Sequence, residues 1–432
     1  MKFVLTAGLA WLLLSASLSP AQQGGGPGQT GAATDKPNAT QPAGAIQRAL
    51  TLEQQANYPE AQAAWENVIK AQPRNAQAYA HLGLLQARQE HYTAAIASYR
   101  KAQTLAQLQG KPIPQLNLNL GLALFKSGDF RGAGKVFEVE LKNHPGDQRL
   151  IILLGMSHYG AHEYGAAIPY LKQAATADQK NLPLRLTLAH CYLWTKQLDA
   201  TMGVYKEILI IDPDSAEADM IAGEALDEKG DNAGAVQQFR DAAKANPKEP
   251  NVHFGLAYLL WAQKRYDEAI PEFYAELQND PRDNQAMLYL GDTYVRQGQF
   301  DKAKEVLEHA AKFQTSNPLI HLDMGIVYME TADQAGAIRE LTKTVELEPD
   351  NVNAHFRLAR IYQSMGKRDE AKVEFAKASS LNKKTDEGLY KRIAEANARP
   401  DLDAKGADAK DGDGKPDPQS AQPDAAAKPN RH

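Results

Sequence analysis

From about Pro42 to Asn382 the chain alternates between two bursts of apolar residues at helical spacing, with a short polar turn between them such as Lys229-Gly230-Asp231 or Gln297-Gly298-Gln299. The whole unit returns every 34 residues. A small residue marks the first burst at Gly83, Gly121, Gly155, Ala189, Gly223, Ala257, Gly291, Gly325 and Ala359, and every step but the first, which is four residues longer, is 34. A second small residue marks the second burst at Ala61, Ala95, Ala133, Ala167, Ala235, Ala269, Ala303, Ala337 and Ala371, with Thr201 the exception. Four residues beyond it stands a large apolar side chain, as in Trp65, Tyr99, Phe137, Tyr205, Phe239, Phe273 and Phe375. Prolines recur in the same register at Pro145, Pro213, Pro247, Pro281 and Pro349.

This pattern predicts antiparallel helix pairs. The small residues let two helices approach closely, the large residue fills the space one turn on, and proline ends the second helix. Ten such units are expected at 42–75, 76–109, 114–147, 148–181, 182–215, 216–249, 250–283, 284–317, 318–351 and 352–385, with 386–398 as a polar cap helix. The four-residue excess falls in Gln109-Gly110-Lys111-Pro112-Ile113-Pro114, where two prolines predict a longer loop or local kink. Residues 22–41, rich in Gly, Pro, Gln and Thr, are expected to form a flexible linker. Residues 399–432 hold no aromatic residue and too little apolar surface to offset ordering entropy, which predicts a disordered tail.

The repeat resembles the tetratricopeptide repeat. The match is best in 284–317, through Leu290-Gly291, Tyr294, Gly298, Phe300, Ala303, Leu307 and Ala310, and nearly as good in 250–283, through Leu256-Ala257, Tyr266, Ala269, Phe273 and Pro281. The resemblance implies an all-α fold, a right-handed α-solenoid of helix-turn-helix repeats whose first helices line a concave groove, and a protein-binding scaffold rather than an enzyme. By that resemblance the groove positions are the second, fifth, ninth, twelfth and thirteenth of each repeat. In the middle of the array they are Leu186, Leu193 and Trp194, then the acidic set Glu217, Glu224, Asp227 and Glu228, then Phe254, Tyr258 and Trp261. Aromatic anchors beside charge suit a groove that takes a basic and apolar protein segment. The basic carboxylate clamp of chaperone-binding members is missing, since the ninth positions run Leu84, Leu122, Met156, His190, Glu224, Tyr258, Asp292, Ile326 and Arg360.

Charge and composition narrow the function classes. A formal net charge of −5 provides no basic surface for nucleic acid or an anionic membrane. Lys2, the apolar run Phe3–Leu14 and the small residues at Ser19-Pro20-Ala21 form an export signal, with cleavage expected after Ala21 and an uncleaved anchor as the alternative. The expected location is therefore the periplasm or the extracellular medium, with the assembly of an envelope machine (pilus, secretion or polysaccharide export) as the alternative role. The only cysteine, Cys191, lies in the apolar stretch Leu188–Tyr192 and reads as a buried, inert thiol. His158 and His162 have the four-residue spacing of a helical metal pair, but packing and solvation explain them better. His253, His321 and His355 share one repeat position on separate helices. Asp411-Gly412-Asp413-Gly414 lacks the ligands of a calcium loop, and Gly24-Gly25-Gly26 lies outside any strand-to-helix turn. No cofactor or metal is therefore expected.

Overall fold

The computed structural model describes residues 42–397; the expected signal 1–21, linker 22–41 and tail 399–432 lie outside the described residues. Twenty helices and no strand occur among the described residues. They are α1 (Pro42–Gln54), α2 (Tyr58–Ala71), α3 (Ala76–Arg88), α4 (Tyr92–Gln109), α5 (Leu116–Lys126), α6 (Phe130–Asn143) and α7 (Gln148–Gly160). There follow α8 (Tyr164–Ala177), α9 (Leu182–Trp194), α10 (Leu198–Ile211), α11 (Ala216–Glu228), α12 (Asn232–Ala245), α13 (Val252–Ala262) and α14 (Tyr266–Asn279). The last are α15 (Asn284–Arg296), α16 (Phe300–Ala311), α17 (Pro318–Glu330), α18 (Gln334–Leu347), α19 (Val352–Ser364) and α20 (Arg368–Asn397). They divide into a unit ending at Asp333, which holds α1–α17, and a unit from Gln334 onward, which holds α18–α20. The fold is an α-solenoid of consecutive helix-turn-helix pairs.

Local chemistry sets the punctuation. The turn that follows each first helix carries one residue in the left-handed region, at Ala56, Glu90, Gly128, His162, Lys196, Gly230, Lys264, Gly298 and Ala332 of the first unit and at Gly366 of the second. Glycine takes this conformation without a Cβ penalty; the other side chains hold it at some cost because the flanking helices dictate it. Between pairs, Pro-x-Asx ends one helix and caps the next. Asn75, Asp147, Asp283 and Asn351 each accept a backbone N–H from the first turn of the following helix.

Packing follows the small-to-large rule. A Cβ built on Gly83 would meet the Tyr99 ring at 2.7 Å, and one on Gly223 would meet the Phe239 ring at 2.6 Å, so these glycines are the clearance for the aromatic side chain of the partner helix. Trp65, Tyr99, Phe137, Phe239 and Phe273 are almost fully buried and form, with Leu171 and Leu307, a row running through the first unit. Burying one such ring stabilises by about 2–3 kcal/mol.

Two boundaries differ from the repeat frame. The four extra residues lengthen α4 by one turn to 18 residues, and Gly110 then ends it in the left-handed conformation. The loop with Pro112 and Pro114 folds back on the preceding turn, where Gln109 Nε2 donates to the Arg74 carbonyl at 2.7 Å and Ile113 packs against Ala76, Leu105 and Ala106. At the other end α20 runs unbroken for 30 residues, so 386–397 continues the last helix instead of forming a separate cap. Lys383 occupies the place that Pro349 holds one repeat earlier, but Gln179 and Thr315 hold that place where α8 and α16 end, so the missing proline permits the longer helix without dictating it.

Candidate protein-binding face

Within the first unit, first helices of successive pairs touch one another directly: α3 with α5, α9 with α11, α11 with α13, α13 with α15 and α15 with α17. A stack whose first helices crowd together curves toward them, so these helices form its inner layer. All eight expected groove residues lie on α9, α11 and α13, three neighbours in this layer.

On the α9 side the aromatic residues form a chain. Trp194 stacks on Tyr164 with centroids 5.5 Å apart, Tyr164 meets the edge of Tyr159 at 5.7 Å, and Tyr159 lies 6.5 Å from His190. His190 is 4 % exposed, and its Nε2 has no hydrogen-bond partner. Burial drives its pKa down to about 4, so the ring is neutral at physiological pH. The neighbouring Cys191 is fully buried, and burial pushes its thiol up to about 12.

On the α13 side Phe254 is buried against Phe273, with centroids 6.2 Å apart, and its backbone N–H donates at 3.0 Å to Glu276. Tyr258 stacks on Trp261 at 5.7 Å, and both meet the edge of Tyr289 on α15. The Trp261 indole N–H donates to Asp292 at 2.6 Å, and the Arg296 guanidinium lies 5.2 Å from the Trp261 ring while its Nε binds the same carboxylate. Trp261 therefore ties α13 to α15 with its polar handle already in use. Tyr258 is half-buried beside it.

Between these clusters α11 presents the acids, and they are unequal. Asp227 and Glu228 are exposed, and Glu228 pairs with Lys196 from the turn after α9. Glu217 and Glu224 are half-buried. Burial, with Glu249 nearby, raises Glu217 to about 7. Burial, reinforced by Glu228 and Asp227, raises Glu224 to about 8, and its Oε1 is buried without a hydrogen-bond partner. At neutral pH Glu224 is thus largely protonated, and the exposed charge of this helix comes from Asp227 and Glu228.

Sequence reasoning missed Tyr164, Tyr289 and Arg296. A signal for Tyr164 existed: Tyr58, Tyr92, Phe130, Tyr164, Tyr266 and Phe300 all open a second helix at one repeat position. The histidines take separate partners, His158 with Glu163 at 2.9 Å and His162 with the Tyr164 hydroxyl at 2.7 Å. His253 and His355 each pair with the glutamate 19 residues on, Glu272 and Glu374, a contact repeated with the repeat.

A family model described as Tetratricopeptide repeat matches residues 46–112 and 222–284, and a second of the same description matches 158–225, 260–323 and 328–393. The chain belongs to the tetratricopeptide-repeat family. Curated relatives include anaphase-promoting complex subunit 3 of Schizosaccharomyces pombe, 22 % identical over 67 % of this chain and 44 % of its own length. Another is the TPR repeat-containing protein YpiA of Bacillus subtilis, 26 % identical over 38 % of this chain and 39 % of its own. The chain thus spans less than half of either. A tetratricopeptide repeat protein from Parabacteroides merdae has a solved structure that is 18 % identical, with TM-score 0.42, covering 57 % of this chain and 97 % of that one. Tetratricopeptide repeats are protein-protein interaction scaffolds, generally without catalysis, and they bind other proteins or peptides.

Proposed function

We propose that this tetratricopeptide-repeat protein is an exported, non-enzymatic scaffold that holds a segment of a partner protein on its inner layer between α9 and α13. The observation that carries this reading is the sequence of surfaces across three touching helices: the chain ending in Trp194, the acidic helix with Glu217, Glu224, Asp227 and Glu228, and the cluster of Phe254, Tyr258 and Trp261. Rigid aromatic rings bury much area at little entropic cost, and flanking carboxylates select the charge of the partner. Trp194 and Tyr258 are the anchors; Phe254 and Trp261 hold the wall behind them. Export to the periplasm or beyond is supported by Lys2, the apolar run Phe3–Leu14 and Ser19-Pro20-Ala21.

The test uses the full chain as bait in an extract of the envelope fraction of the source cells, beside a Trp194→Ala/Tyr258→Ala variant and an outer-face Val139→Ser variant. A partner retained by wild type and Val139→Ser but lost from the double variant supports the reading. A partner retained equally by all three, with the helical spectrum unchanged, contradicts it. The mass of the protein recovered from that fraction checks export: loss of residues 1–21 is expected, and a full-length chain confined to the cytoplasm would refute it.

A further inference from the structure

Among the buried polar atoms of the inner layer that have no hydrogen-bond partner, two stand at one repeat position on neighbouring helices. His190 Nε2 and Glu224 Oε1 occupy the ninth position of successive repeats, on α9 and α11, which touch. A buried polar group with no partner costs about 1–3 kcal/mol. One at the end of the α9 aromatic chain and one on the helix that touches α9, they mark where a ligand's polar group would be gained. His190 leans on Tyr159, whose hydroxyl in turn feels Glu217 of the acidic helix.

We propose that the partner segment inserts a lysine or arginine side chain here, that Glu224 ionises to receive it, and that His190 takes a second hydrogen bond from the same segment. This rests on the inner-layer reading above and adds the chemistry of the partner and a pH dependence. The reaction balances without any co-reactant: the Glu224 carboxylic acid loses one proton to solvent, and its carboxylate pairs with the cation that arrives already charged.

The charged neighbours fit this. Around Glu224 stand Asp227 and Glu228 on α11 itself, and Lys196 in the turn after α9, which is already held by Glu228. From α9 comes His190, neutral throughout the range in question. From α10, Tyr205 donates at 2.8 Å to Asp219, on the helix's other face, and from α13, Tyr258 lies near Asp227. Among these side chains Lys196 is the cation that acts on Glu224, and it is already held by Glu228. Because the free carboxyl ionises only near pH 8, affinity for a cationic segment rises with pH until that point, whereas ordinary carboxylates are fully ionised well below it.

A displayed library of random dodecapeptides tests this on the full chain. Peptides are captured at pH 8.5 and eluted by a step to pH 6, for wild type, Glu224→Gln, Glu217→Gln and Trp194→Ala/Tyr258→Ala. The expected result is a wild-type acid-eluted pool rich in lysine or arginine, with members that bind at least about tenfold more weakly at pH 6 and release close to one proton on binding in calorimetry at pH 7, where the free carboxyl is still largely protonated. Glu224→Gln should still bind apolar peptides but should lose both the basic enrichment and the proton release. Glu217→Gln should keep them. Wild-type peptides with no basic enrichment, or a pH step that survives in Glu224→Gln or disappears in Glu217→Gln, would overturn the proposal while leaving the scaffold reading intact. If the Trp194→Ala/Tyr258→Ala variant enriches the same peptides as wild type, the inner-layer reading itself fails, and this one with it.

Discussion

Replacing Gly223 with alanine adds a single methyl group at the closest helix-helix approach of the acidic repeat. In an open helix interior such a change gains about 0.5–1 kcal/mol, because alanine has less backbone freedom to lose. Gly203, in the middle of α10, is the control: a Cβ there meets nothing within 4 Å, and Gly203→Ala should show that gain. At Gly223 the same Cβ would lie 2.6 and 2.8 Å from ring carbons of Phe239 and 3.3 Å from the Ala235 carbonyl oxygen. Carbon atoms in contact prefer about 3.5–4.0 Å, so the overlap is close to 1 Å. The ring cannot withdraw, since Phe239 is 1 % exposed and Gly255 of the next repeat is pressed against its other edge. Overpacking of this kind costs about 1–3 kcal/mol. Set against the propensity gain, Gly223→Ala should be destabilising by about 1–2 kcal/mol. The assay is urea unfolding followed by far-ultraviolet circular dichroism, with hydrogen exchange of α11–α13 read in parallel because repeat arrays open locally. In a Gly223→Ala/Phe239→Leu double variant the smaller side chain should recover part of the loss, with a coupling of at least about 0.5 kcal/mol. A Gly223→Ala protein as stabilised as Gly203→Ala, or a double variant whose losses simply add, would refute the small-to-large packing rule.

Other outcomes follow from buried groups. Glu276, 3 % exposed, accepts the Phe254 N–H where Asn251 offers no side-chain cap, so Glu276→Ala should cost about 1–3 kcal/mol in urea unfolding and Glu276→Gln, which keeps an acceptor, less. Burial raises Glu224 above its ordinary 4.5, so the stability it allows is complete below about pH 4.5 and is lost as pH climbs through about 8. Glu224→Gln should therefore match wild type at pH 4 and exceed it at pH 9, and parallel pH profiles would contradict this. Cys191 should react with a thiol reagent at pH 8 only as fast as the protein opens, whereas rapid labelling of the native chain would mean that the α9 core is not closed.

The helix pairs were legible because the repeat writes each contact many times: one Gly-aromatic pair is weak evidence, but the same offset from Gly83 to Tyr99, Gly121 to Phe137 and Gly223 to Phe239 leaves little freedom. The length of α20 was not legible, because Gln179 and Thr315 also replace the proline and α8 and α16 end there all the same. The candidate face was only half legible. Repeat position placed Trp194, Glu224 and Tyr258 on touching helices, yet it does not say how deeply a side chain is covered or which neighbour satisfies it. Trp261 has the same kind of groove position as Asp227, but Asp292 and Arg296 from the next repeat fix it in place. Glu224 and Glu228 are both glutamates one helical turn apart; burial makes the first a weak acid, while the second remains an exposed partner of Lys196. Such differences arise from contacts between repeats, which the periodicity of a single repeat averages away.

The central claim is that a partner protein occupies the inner layer between α9 and α13. Site-specific photo-crosslinking in living cells tests it most directly. A photoreactive phenylalanine analogue is placed at Tyr258 of the inner layer or, as a control, at Val139, which is 54 % exposed on the second-helix side. The expected result is one discrete crosslinked partner from position 258, abolished by Trp194→Ala, and none from position 139. Equal crosslinking from both positions, or a product at 258 that persists unchanged in Trp194→Ala, would contradict the claim.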